Sequence, residues 1–153
     1  MDEILHLRRE DAPCKHVCEH GNFEYRKWSL LPRGKAGCVA GLYEIPPGKA
    51  AYPYHYHEKN EEMFYILRGE GTLKTPQGER EVKAGDFLFF PANASGAHKL
   101  TNTGEVDLAY LDFDTSHEID VTFYPDSGKI GVWGKGINQV YQTDSQVGYY
   151  DGE

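Results

Sequence analysis

The chain has 153 residues, a usual size for one domain and short for two, and its 13 % aromatic content supplies a core and excludes general disorder. Sixteen Lys and Arg against 24 Asp and Glu leave a formal charge of −8, which excludes the basic surface that grips nucleic acid or an anionic membrane. With 17 Gly and 8 Pro the chain carries too many helix breakers for a helix bundle, so an all-β fold is expected.

The first residues, Met1-Asp2-Glu3-Ile4-Leu5-His6, place charge where a signal peptide needs an apolar run. No stretch approaches the roughly 18–20 apolar residues of a membrane span. A cytoplasmic protein is expected. Next come Cys14, His16, Cys18 and His20, alternating so that a strand would point all four the same way. Four ligands from seven consecutive residues cannot readily wrap a tetrahedral ion, and three cysteines in all argue against a disulfide framework. A strand or loop with free thiols is the better reading.

Strand patterns follow at 24–31, 37–45, 52–57, 62–68, 71–75, 79–83, 87–90, 98–102 and 106–113. They are separated by turn sequences such as Pro46-Pro47-Gly48, Pro76-Gln77-Gly78 and Ala84-Gly85-Asp86. Many short strands without an amphipathic helix predict a β-sandwich or small barrel. The organisation read from the sequence is an N-terminal strand extension over 1–35, a barrel over 36–124 and a C-terminal tail over 125–153. Trp133, Tyr141, Tyr149 and Tyr150 are too apolar for a free tail, so part of it is expected to pack on the barrel or on a partner.

The segment 48–62 concentrates the chemistry. His55 and His57 stand two apart, so on a strand both imidazoles share one face, with Tyr54 and Tyr56 on the other. Glu58-Lys59-Asn60 reads as a turn, and a hairpin there would return a carboxylate beside the imidazoles. Alternation then puts Glu62, Phe64 and Ile66 on the inner face and makes Glu62, rather than Glu61, the ligand. Two imidazoles and a carboxylate suit iron, manganese, nickel or zinc and suit calcium poorly.

These residues resemble the cupin superfamily. Its first motif runs Gly, about five residues, His-x-His, three or four residues, Glu, six residues, Gly. Here Gly48 is followed by six residues, His55-Tyr56-His57, four residues, Glu62, six residues and Gly69. Its second motif has counterparts in Gly85, Pro91, His98 and Asn102, although six residues rather than four separate Pro91 from His98. Asn93 stands where the family has Gly, and Gly96 falls two before His98. Gly96-Ala97-His98 and the ending Tyr124-Pro125-Asp126-Ser127-Gly128-Lys129 resemble those of small bacterial cupins.

The resemblance implies a double-stranded β-helix, or jelly-roll, barrel. In it His55, His57, Glu62 and His98 would bind one divalent transition metal (Fe, Mn, Ni or Zn), with positions left open for a small-molecule ligand. By alternation Phe64, Ile66 and Leu100 would line the cavity. Tyr110 and Asp112 share a face that either reaches the pocket or meets solvent. Tyr52, Tyr54 and Tyr56 are expected as an outward stripe packing on the N-terminal strands or a second subunit. His6, His16, His20 and His117 read as surface residues. The implied function is small-molecule chemistry, dioxygenase-like or isomerase-like; the alternative is a non-catalytic small-molecule or sugar-binding sensor whose metal is structural or orients the ligand. Strand exchange at the termini would make a homodimer.

Overall fold

In a computed structural model the described residues are 4–153, so Met1, Asp2 and Glu3 of the charged N-terminus lie outside them. Thirteen strands follow one another: β1 Cys14–His20, β2 Phe23–Leu31, β3 Cys38–Ile45, β4 Tyr56–His57, β5 Glu62–Arg68, β6 Glu70–Thr75, β7 Gly78–Lys83, β8 Phe87–Phe90, β9 Lys99–Thr101, β10 Leu108–Thr115, β11 Ile119–Tyr124, β12 Lys129–Gly134 and β13 Ile137–Gln142. A six-stranded sheet has the order β1-β2-β3-β10-β5-β8, a four-stranded sheet β13-β12-β11-β4, and a three-stranded sheet β7-β6-β9. The two smaller sheets meet where His55 and His98 exchange both backbone hydrogen bonds, 3.1 and 2.9 Å. The fold is an all-β jelly roll whose sheets are not closed.

Sequence alternation sets the two faces. On β5, Glu62, Phe64 and Ile66 are buried while Tyr65 and Leu67 are exposed, as a period of two requires. Ile45, Ile66, Leu108 and Tyr110 of the large sheet pack in one core with Leu73, Val82 and Leu100 from the β6, β7 and β9 side. Ile45, Ile66 and Leu108 are fully buried, each worth about 1.5–3 kcal/mol of transfer free energy. No helix among the described residues is long and apolar enough to cross a membrane.

Two local expectations are corrected. Residues 52–57 do not form one strand: only Tyr56–His57 is a strand, because Pro53 has no N–H to give a ladder. The chain turns there, so Tyr52 and Tyr54 do not join an outward stripe. Tyr52 packs edge-on against Tyr43, their hydroxyls 3.0 Å apart, and Tyr54 is buried under the Lys74 ammonium. Tyr52 does meet the N-terminal strands as expected, its ring 5.2 Å from that of Tyr25 on β2, whereas Tyr56 stacks on Phe123 of β11. Nor do β4 and β5 form a hairpin. β4 pairs with β11, and β5 with β8 and β10, so the chain crosses from one sheet to the other between them.

The expected strands end at 113, whereas β11, β12 and β13 continue the chain as a meander. Trp133 packs within it, but Tyr149 and Tyr150 are exposed and lie edge-on to each other. β1 and β2 add to the edge of the large sheet.

Candidate metal centre

The sheet crossing, not a hairpin, delivers the carboxylate. His55 and His57 flank the start of β4 on one sheet, His98 lies beside His55 across the backbone bridge, and Glu62 opens β5 on the facing sheet. Glu62 Oε2 lies 3.6 Å from His55 Nε2, 3.5 Å from His57 Nε2 and 3.3 Å from His98 Nε2. His55, Glu62 and His98 bring one ligand atom each within 4.8 Å of one another; His57 stands outside that set and joins through Glu62.

The tautomers follow from the other ring nitrogens. His55 Nδ1 lies 2.8 Å from the Pro53 carbonyl and His98 Nδ1 2.9 Å from the Gly96 carbonyl. A carbonyl can only accept, so both Nδ1 atoms carry the proton and both Nε2 lone pairs face the centre. His57 Nδ1 donates to the Asp120 carboxylate, which also accepts the Lys59 N–H at 2.9 Å. A carboxylate, carbonyl or water behind each imidazole is the outer shell that orients metal-ligating histidines.

Burial tunes the charges. Desolvation, then His57, lowers His55 to about 4; desolvation, then His55, holds His98 well below the ordinary imidazole range. Both rings are therefore neutral and able to ligate. Desolvation, then Asp114, pushes Glu62 well up, and Asp112 rises for the same reasons. Burial also opposes the Asp120 charge, but the hydrogen bonds from His57, Lys59 and Asn60 outweigh it and hold that carboxyl low.

Glu62 Oε2 and His98 Nε2 are buried without a hydrogen-bond partner although they are 3.3 Å apart. With the His98 proton on Nδ1, both atoms are acceptors and neither satisfies the other. A buried unpartnered imidazole acceptor beside a buried carboxyl oxygen costs a few kcal/mol, and a shared cation satisfies both at once. The donor set fits a divalent transition metal.

A cavity of about 190 Å³ opens over this cluster, and Asp112 lines it together with His55, His57 and Glu62. Phe64, Leu100 and Tyr110 line a narrow crevice behind His55 and His98, with Phe64 edge-on to His98. Ile66 lines neither space and belongs to the core. Of the two readings open for Tyr110 and Asp112, both side chains turn inward. His6, His16, His20 and His117 are exposed, His117 bonding to Asn60 Oδ1; Cys14, Cys18 and Cys38 are free and exposed.

Sequence reasoning missed Lys27, Asp114, Asp120, Thr122, Tyr124 and Trp133. Asp114 continues the parity of Asp112 and was within reach of the alternation argument. The β11 residues carry an inverted signal. Asp120 and Thr122 face inward while Ile119 is exposed, the reverse of a strand lining an apolar core. The Trp133 indole donates to Thr122 Oγ1 at 2.8 Å, and Tyr124 stacks on His55.

Comparison with known proteins agrees with this architecture. The family model described as Cupin domain matches residues 41–114. An oxalate-binding protein of Thermotoga maritima is 38 % identical over 68 residues, 44 % of this chain and 54 % of that protein, so the chain matches about half the length of this relative. A structure from Acidithiobacillus ferrooxidans, named as a sugar phosphate isomerase, is 28 % identical with a TM-score of 0.76, covering 86 % of each chain. A cupin-superfamily structure from Silicibacter pomeroyi, at 18 % identity, superposes with a TM-score of 0.81 over 96 % of this chain and 98 % of its own, a likeness of fold. The motifs, the jelly roll and the matched domain together show that this chain belongs to the cupin superfamily.

Proposed function

We propose that the chain holds one divalent transition metal (iron, manganese, nickel or zinc) on His55, His57, Glu62 and His98 and uses it to act on a small molecule in the jelly-roll cavity. The observation that carries this reading is the convergence of the imidazole Nε2 atoms on Glu62 Oε2, with His55 and His98 fixed through backbone carbonyls and His57 through Asp120. An ion held there would supply Lewis acidity or redox chemistry. The chain's own residues do the rest. Tyr43 and Tyr52 present hydroxyls that burial keeps neutral, and Asp112 and Asp114 offer carboxyl oxygens to a ligand proton. Trp133 and Tyr124 line one side of the cavity.

Isomerase-like chemistry accords with the name of the 28 % identical structure, and dioxygenase-like chemistry with that of a quercetin 2,3-dioxygenase of Bacillus subtilis, 44 % identical over 46 residues. The second reading is a binding protein, favoured by the oxalate-binding relative. Turnover separates them. Metal-loaded protein is incubated with sugar phosphates, small carboxylates and catechols, and chromatography follows consumption. Conversion of one of these that stops on chelation supports catalysis; saturable binding of one without conversion supports the binding reading.

We place the protein in the cytoplasm, a reading supported by its three free, exposed thiols. Residues 36–124 are taken as the barrel, with 1–35 and 125–153 as extensions adding strands to its sheet edges. A homodimer is also proposed, through the outer face of the large sheet. Tyr65 pairs in register with Phe87 and Met63 with both Phe89 and Phe113, and all but Met63 are exposed. An uncharged apolar patch is self-complementary and suits a two-fold interface. Light scattering is expected to give the mass of two chains, falling to one in Phe89→Glu; a monomeric wild type contradicts the proposal.

A further inference from the structure

The cavity over the candidate centre does not end in apolar wall. Lys27, on β2, and Arg33, in the β2–β3 turn, line it at the far side from the imidazoles. A second hollow of about 180 Å³ shares Lys27, Arg33, Asp112 and Asp114 with it and continues toward that turn. The space is therefore one elongated site with a candidate metal at one end and two cations at the other. Together the two hollows, about 190 and 180 Å³, stand at the low end of the roughly 300–1,000 Å³ of pockets for drug-sized ligands, which suits a small molecule.

Lys27 is placed there by strand register. It pairs opposite Tyr43, on the inward parity of β2 shared with buried Tyr25. Its ammonium sits 4.9 Å from the centre of the Tyr43 ring, and no carboxylate comes within ion-pair distance of it among the described residues. Asp112 is 7 % exposed, and its Oδ1 is buried without a hydrogen-bond partner beside Asp114 and Glu62. With a divalent ion on the neutral imidazoles, the ion, Lys27 and Arg33 balance the carboxylates of Glu62, Asp112, Asp114 and Asp120, and among the described residues the two side-chain cations stand where no carboxylate pairs with Lys27. An uncharged ligand would leave the Lys27 ammonium without an anionic partner.

We propose that the ligand is a small hydroxylated anion, held at its carboxylate or phosphate by Lys27 and Arg33 and at its hydroxyl by Asp112. The metal end takes a second oxygen of the same molecule. Arg33 offers the bidentate fork and Lys27 the point charge that such anions use. This assignment rests on the metal reading above but draws on different residues.

Calorimetric titration of two matched pairs tests it: glycolate against glycolamide, and glycerol phosphate against glycerol, with metal content counted in every sample. The expected result is saturable binding of the charged member of one pair, which tells carboxylate from phosphate, and about tenfold or weaker binding of its neutral partner. Lys27→Gln and Arg33→Gln are each expected to weaken the anion about tenfold or more while retaining the wild-type metal content. Equal binding of charged and neutral members, no binding of either anion, or full affinity in both variants overturns the proposal. A wild type without metal overturns the metal reading instead; the charge preference in the same titration still decides this one.

Discussion

Replacing His55 and His98 together with Ala is expected to take the metal content from near one ion per chain to background, read by elemental analysis of protein purified without chelators. The two imidazoles contribute two of the four donors, and both face Glu62 through Nε2. A graded result accompanies it. Asp120→Asn keeps an acceptor for the Lys59 N–H but removes the charge that holds His57 by its Nδ1, so metal affinity is expected to fall about 10–100-fold without abolition. Metal content unaffected by the double substitution sinks the assignment of these ligands. An Asp120→Asn protein that binds metal like the wild type sinks the role given to Asp120.

Gly96→Ala is expected to cost about 1–3 kcal/mol of stability and to impair metal loading, measured by denaturant unfolding and metal analysis. A Cβ at Gly96 would stand 2.1 Å from the Pro91 carbonyl oxygen and 3.0 Å from the Pro91 nitrogen, both backbone atoms of the same tight loop. The neighbouring chain must move to admit it. The Gly96 carbonyl receives His98 Nδ1, so the displacement passes directly to a ligand. Ser95→Ala, one residue away and exposed, is the control and is expected to change stability by less than about 1 kcal/mol. Equal effects of the two substitutions would show that the loop has room and that the glycine is incidental.

That loop is also where the sequence resemblance is least regular. The second motif has Asn93 in place of its glycine and two extra residues before His98. In the structure Asn93 caps a short 3-10 turn through Ser95 N–H at 2.8 Å, and Gly96 supplies the close approach to Pro91. The insertion is absorbed by a turn, and His98 still faces His55. The regular motif glycines Gly48, Gly69 and Gly85 all take positive φ, the turn conformations their spacing implied.

Much of the large sheet was legible because β3, β5 and β8 alternate or run apolar between clear turns; 62–68 and 87–90 appear with the expected bounds. Glu62 was separable from Glu61 by parity alone. Pairing was not legible. Nothing local in 58–61 distinguishes a hairpin from a crossing between sheets, because that choice is made by distant β11, whose Asp120 takes the Lys59 and Asn60 amides. β11 escaped notice because its buried positions are polar. Lys27 escaped for the same reason: an inward lysine has no local signature, and only register against Tyr43 turns it toward the cavity.

The most direct measurement is a crystal structure of the protein purified without chelators, with anomalous diffraction recorded across the iron, manganese, nickel and zinc edges. The expected result is one anomalous peak per chain, within bonding distance of Nε2 of His55, His57 and His98 and of a Glu62 oxygen, with at least one further position facing Lys27 and Arg33. No peak between these residues, or one held by other side chains, would contradict the account.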